Sequence, residues 1–279
     1  MTTYPPLAAT VLLLRPGTAP VNPVAPAPEI FTITRSKALA FSAGVSAFPG
    51  GRIDEADDLP APLWSGTDLA AWGRRLGLEP VDAGRLLAGV VRETFEEAGI
   101  LLARHRDGTP VDAALLDGLP VDTRVRVERH ELDFGTLLTD LDLHPEVTCM
   151  QPLSRWITPE GAARRYDTYF FAAAIPPGQR PGALSFEGID SRWTTAAAAL
   201  EDFREGRHRL MPPTWAQFRT LLTARSVDEA LSGSGTLETV RPTFVPGPPS
   251  TARDFRGDAD YALGLAGARA AAERRRNVQ

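Results

Sequence analysis

The chain has a single cysteine and, at Lys37, a single lysine among its 279 residues. With Cys149 alone no intrachain disulfide can form, so nothing points to an oxidising compartment, and Cys149 reads as a plain buried or half-buried thiol. Net positive charge is missing too. The 30 basic and 35 acidic residues leave −5 at pH 7 and a pI near 5.5, which argues against a bulk nucleic-acid binder, whose affinity needs a basic field. Long apolar runs are absent: the stretch 7–14 is too short for export or for spanning a membrane. The first six residues carry no basic leader, and the last four, Arg276-Asn277-Val278-Gln279, are not the peroxisomal Ser-Lys-Leu address. A cytoplasmic protein with no membrane partner is expected. The four histidines, His105, His130, His144 and His208, have no mutual spacing that suggests zinc and read as structural or exposed.

What the chain does have is a concentration of acid on one helix. In Arg92-Glu93-Thr94-Phe95-Glu96-Glu97-Ala98-Gly99-Ile100, a turn of 100° per residue gathers Glu93, Glu96 and Glu97 in one arc and sets Leu87, Val91, Phe95 and Ala98 nearly opposite. Carboxylates three and four residues apart repel one another unless a cation sits among them. A hard divalent ion with a preference for oxygen would resolve the conflict. A merely solvated acidic face is the plainer alternative. Context favours the ion: upstream, Phe48-Pro49-Gly50-Gly51 forms a tight turn whose backbone can approach a phosphate or a helix, and downstream Gly99 can cap the helix in the left-handed conformation.

At these residues the chain resembles the Nudix hydrolase family. Its signature is Gly, five residues, Glu, seven residues, then Arg-Glu-U-x-Glu-Glu-x-Gly-U with U apolar. Thr94 takes the first U and Ile100 the last. Five residues past Gly51 stands Asp57 in place of Glu, and 34 residues, not seven, separate it from Arg92. The branch of mammalian-type peroxisomal coenzyme A diphosphatases carries such an insertion. The order Arg35-Ser36, Gly44, Phe48-Pro49-Gly50-Gly51 and Arg92 to Gly99 is similar to that branch, as are Trp156-Ile157-Thr158-Pro159, Arg164-Arg165-Tyr166-Asp167-Thr168-Tyr169-Phe170-Phe171 and Leu210-Met211-Pro212-Pro213-Thr214. Ala40 stands where related bacterial enzymes have an arginine.

The resemblance implies an α/β fold, a Nudix-type α/β/α sandwich with a mixed sheet, helical insertions and a C-terminal tail. It also implies Mg²⁺- or Mn²⁺-dependent cleavage of coenzyme A or acyl-CoA at the diphosphate, giving 3′,5′-ADP and the (acyl-)phosphopantetheine half. Other nucleoside diphosphate compounds, such as ADP-ribose or a dinucleotide, remain open as substrates, as does a Nudix-fold module that binds a nucleotide without cleaving it. Glu96 and Glu97 are the expected metal ligands, and Glu93 a further ligand or the base that takes the water proton. Arg92 would orient a neighbouring carboxylate. Asp57, one methylene shorter than the signature Glu, reaches the metal directly or through water. Glu187, in a loop before Trp193, is a further acid or metal ligand, or a solvated loop charge. Gly50 and Gly51 lend backbone, and Arg35, Lys37 and Arg52 flank the glycine turn, where they meet substrate phosphates or balance nearby acids.

Along the chain, residues 10–15 and 30–35 read as strands joined by a Pro- and Ala-rich arm at 16–29, a candidate flexible flap. The insertion, about 58–85, is expected to bulge from the loop, with a helix near 67–78 and Asp82 capping the acidic helix. Residues 111–142 look mostly helical, 166–175 read as a strand, and 196–205 and 213–224 as helices. One domain is expected over 1–231. Residues 232–279 form a linker and tail that contribute little core, with an Ala-rich helix at 258–276 as a surface or homodimer arm.

Overall fold

The computed structural model of the chain describes residues 4–18, 26–35, 45–183, 188–233, 237–245 and 251–276. Half of the expected flap at 16–29, residues 19–25, lies outside them. Four strands come first: β1 (Leu7–Arg15), β2 (Glu29–Arg35), β3 (Val45–Ala47) and β4 (Gly50–Arg52). Short 3₁₀ turns at Glu55–Asp57 and Ala61–Trp64 lead into α1 (Leu69–Leu76) and the acidic helix α2 (Pro80–Ala98). There follow β5 (Ala103–His105), α3 (Ala113–Asp117), α4 (Thr123–Glu128), α5 (Phe134–Asp140) and β6 (Leu143–Pro145), then β7 (Met150–Ile157), β8 (Asp167–Ala174) and β9 (Gly188–Thr195). The chain ends in α6 (Ala196–Arg204), β10 (Arg209–Leu210), α7 (Pro212–Thr220), α8 (Val227–Leu231), β11 (Glu238–Val240), β12 (Thr243–Val245), β13 (Thr251–Arg253) and α9 (Asp258–Arg276).

A nine-stranded mixed sheet, ordered β10-β3-β2-β1-β8-β7-β11 with β4 added on β1 and β9 on β2, separates two apolar cores. The period of two along β1 makes both: Ala9, Val11 and Leu13 enter one core with Leu87, Val91 and Phe95 of α2, while Leu12 and Leu14 enter the other with Phe203 of α6 and Phe218 of α7. The helices on the two faces complete the α/β/α sandwich read from the sequence. Among the described residues, no helix is long and apolar enough to cross a membrane.

The insertion does not bulge outward. Leu59, Leu63, Trp64 and Leu76 are buried in the α2 core, the Tyr169 hydroxyl donates to Leu76 O at 3.3 Å, and His144 Nδ1 lies 3.1 Å from Leu63 O. Its apolar residues have no other place to leave water. Asp68 caps α1 by accepting from the Ala71 N–H at 2.9 Å. Asp82 does not cap α2, which starts at Pro80 with Glu79 as its N-cap. The fixed φ of proline suits the first helical position, and Asp82 sits inside the first turn.

The tail also departs from expectation. Instead of standing apart, β11 adds to the edge of β7, and Phe255, Tyr261 and Ala271 are buried. Tyr261 stacks on Phe203 with ring centroids 5.2 Å apart, while Phe255 meets Trp156 at 5.4 Å and Trp215 at 6.4 Å. Two aromatic anchors outweigh the polar, Pro- and Arg-rich composition around them. The Phe255→Ala variant should therefore lose about 3 kcal/mol of unfolding free energy in urea; an unchanged midpoint would mean that the tail is not part of the core.

Cys149 is half-buried and donates from Sγ to Glu146 O at 3.1 Å. Burial, with the Glu146 charge second, pushes its thiol up to about 12. At pH 8 it should resist iodoacetamide until denaturant is added; fast labelling of the native protein would contradict this.

Candidate active site

Gly99, left-handed at φ 69°, stops α2 just past the three glutamates. The acids thus occupy the last turns, where the helix dipole is negative and opposes them. Their face is not solvated. Glu96 is 6% exposed and Arg92 4% exposed, and Thr94, also buried, satisfies its hydroxyl by donating to Val90 O at 2.6 Å.

Arg92 is the hub. Its Nε and Nη2 donate to Oδ1 and Oδ2 of Asp57 at 2.7 and 3.0 Å, Nη1 donates to Glu93 at 3.0 Å and to Glu96 at 3.1 Å, and Nη2 also reaches Arg52 O at 3.1 Å. Burial works against its charge, but Asp57, Glu93 and Glu96 together raise its affinity for the proton. One arginine does not balance the cluster. Burial, with repulsion from Glu97 and Glu96, outweighs Arg92 and pushes Glu93 up to about 8. Burial likewise raises Glu96 against the pull of Arg92.

The glycine turn closes the cluster from the other side. The Gly50 N–H donates to Glu97 Oε2 at 2.8 Å. At Gly51 a Cβ would stand 2.4 Å from Glu93 Oε1, so a side chain there would push that carboxylate aside. Both glycines, Arg52, Arg92, Glu93, Glu96 and Glu97 line a cavity of about 490 Å³.

Asp57 does not line it. It is 1% exposed, with both oxygens held by Arg92 and Oδ2 also accepting from the Asp54 N–H at 2.8 Å. The expectation of a metal ligand at Asp57 is thus corrected to a buried partner of Arg92; Asp54 lines the cavity instead. Glu187 and Lys37 lie outside the described residues, as does the Arg35 side chain.

Glu128 and His130 escaped the sequence reading: His130, read only as structural or exposed, lines the cavity that the acids line. Arg124 of α4 donates to Glu96 O at 2.6 Å and to Ala183 O at 2.9 Å, docking α4 on the end of α2. His130 then turns back at φ 55°, and it joins Glu128 in the cavity wall. Neither spacing nor residue type signals this, because contact with Glu96 depends on how α4 docks. Arg164, Tyr166 and Thr168 also line the cavity, and here alternation into a strand was a readable signal.

Among the described residues, no three His, Cys, Asp or Glu groups already stand around one point as a finished metal site; Arg92 holds the centre. The donor set nevertheless fits a hard divalent cation, with several carboxyl groups and Glu93 held back from ionising by burial and then by its acidic neighbours. The arrangement can hold such an ion against an anionic substrate.

The family described as NUDT19 Nudix domain matches residues 80–221. The chain is 30% identical over 266 residues to acyl-coenzyme A diphosphatase NUDT19 of Homo sapiens, covering 80% of this chain and 70% of that protein. Its namesake in Gallus gallus is 30% identical over 263 residues, covering 80% and 69%. The crystal structure of a Nudix hydrolase from Alicyclobacillus acidocaldarius superposes with a TM-score of 0.68 at 25% identity, over 85% of this chain and 99% of that one.

The buried Asp57–Arg92 pair gives the site its own test. Asp57→Asn removes the charge of the partner that accepts two of the guanidinium's hydrogen bonds and should cost roughly 3 kcal/mol of stability in chemical denaturation. A variant as stable as the parent would show that the pair does not organise the site.

Proposed function

Because the chain belongs to the Nudix hydrolase family, in the group of the NUDT19 Nudix domain, we propose that it hydrolyses the diphosphate of coenzyme A or acyl-CoA to 3′,5′-ADP and (acyl-)phosphopantetheine. The relatives named acyl-coenzyme A diphosphatase support the substrate class. The observation that carries the chemistry is the Glu93, Glu96 and Glu97 group facing a glycine turn across one cavity.

Members of the family generally work with a divalent metal, and Mg²⁺ or Mn²⁺ is the proposed ion here, held by Glu93, Glu96 and Glu97. When bound, such an ion neutralises the diphosphate oxygens and lowers the pKa of water at the site. The chain supplies the rest. Arg92 keeps Glu93 and Glu96 in place and limits their mutual repulsion. The Gly50 N–H fixes the orientation of Glu97. Glu93, which would lose its own proton with a cation beside it, is then suited to take the proton of the attacking water. Arg52, whose side chain is 65% exposed and only 3.7 Å from Asp54, is free to turn toward a phosphate. A cytoplasmic setting belongs to the same reading, supported by the lone unpaired Cys149.

Glu97→Gln keeps an oxygen that can accept the Gly50 N–H but removes a charge. It should fold as the parent does and lose about 10²-fold or more in turnover of coenzyme A with Mg²⁺. Parent-like turnover would remove Glu97 from the site. Chromatography of the parent reaction should show 3′,5′-ADP; cleavage of ADP-ribose or dinucleotides alone would replace the substrate, and no cleavage of any of them would leave a binding module.

A further inference from the structure

Arg164 lies in the bend that runs into β8, and the strand period brings it, Tyr166, Thr168 and Phe170 to one cavity wall. The residues between them are engaged elsewhere. Arg165 Nε donates to Thr158 O at 3.1 Å, and Asp167 accepts from Arg155 at 2.8 and 2.6 Å. The row is anchored ahead of the strand: the Tyr166 N–H donates to Thr158 Oγ1 at 3.1 Å, and the Thr158 N–H to Tyr166 O at 2.9 Å.

Three arginines line the cavity. Arg92 is fully engaged by Asp57, Glu93, Glu96 and the Arg52 carbonyl, and Arg52 stands near Asp54. Arg164 has no hydrogen-bond or ion-pair partner among the described residues. A planar fork of donors left without an anion on a cavity wall suits a phosphate that enters with the ligand.

Register tells which phosphate. Phe170 pairs with Thr10 and Thr10 with Gly50, whose N–H holds Glu97. Arg164 lies six residues before Phe170, at most about 20 Å at about 3.3 Å per residue, and the bend ahead of β8 shortens that distance. The long arginine side chain covers part of that gap, and a second phosphate on the same nucleotide, set off from the diphosphate by the ribose, reaches toward it, with Tyr166 and Thr168 lining the wall between the two ends. We propose that Arg164 binds the ribose 3′-phosphate and so selects coenzyme A-type substrates over nucleoside diphosphates that lack it. This rests on the reading of the cavity as a nucleoside diphosphate site.

Titration calorimetry with adenosine 3′,5′-bisphosphate and with 5′-AMP, in the presence of Mg²⁺, tests the assignment without turnover. The parent protein should bind the bisphosphate about tenfold or more tightly than AMP, as one charge-assisted contact provides. In R164A that preference should fall below about threefold, and R164K, a point charge without the fork, should lie between. A matching unfolding midpoint for each variant keeps the comparison among folded proteins. A parent that shows no preference, a preference intact in R164A, or an equal loss of both ligands would each overturn the proposal. Coenzyme A turnover by the parent is measured separately: its absence beside an intact 3′-phosphate preference would sink the reaction proposed above and leave the role of Arg164 standing.

Discussion

A single buried guanidinium governs this molecule. Arg92 holds Asp57, Glu93 and Glu96 from a position that is almost wholly out of water. Buried charges tolerate one another only when paired and hydrogen-bonded. Arg92 meets that demand for Asp57 and only partly for the glutamates, since Glu93 still keeps its proton up to about pH 8. The fold has gathered more carboxyl groups than one guanidinium can keep ionised, at the negative end of a helix dipole. That imbalance is the reason a divalent cation belongs to the working state.

The rest of the architecture serves to maintain the imbalance. The sheet provides β4, whose Gly51 packs directly on Glu93. The insertion, folded into the core instead of hanging from it, covers the other sides of α2 through Leu63, Trp64 and Leu76. α4, fastened by Arg124 to the last turn of α2, brings Glu128 and His130 to the cavity. The aromatic tail closes the opposite face of the sheet through Phe255 and Tyr261. Apart from the insertion, which runs directly into α2, these elements lie far from it in sequence, and they act on the site through packing and hydrogen bonds.

Local signals carried much of this into the sequence. The arc of Glu93, Glu96 and Glu97 against Leu87, Val91 and Phe95, the stop at Gly99 and the glycine turn at Gly50 and Gly51 obey short-range rules of spacing, and they stand in the structure where those rules put them. The strands at β1, β2 and β8 and the helices α6, α7 and α9 were legible for the same reason. Asp57 was misread because a signature position specifies where a residue falls in a sequence, not which neighbour captures its side chain; Arg92 took both of its oxygens. The burial of the tail was missed because two aromatic residues in a polar, Pro-rich stretch give no periodic pattern. His130 depends on a left-handed turn at a non-glycine residue, for which sequence offers little warning.

Anomalous diffraction from crystals equilibrated with Mn²⁺ examines the charge imbalance at its source. Density for the ion should lie among the carboxylate oxygens of Glu93, Glu96 and Glu97, with Arg92 still bonded to Asp57. Manganese absent from that cluster at saturating concentration, with Glu93 and Glu96 still bound only to Arg92, would show that the arginine suffices and that the acids are structural.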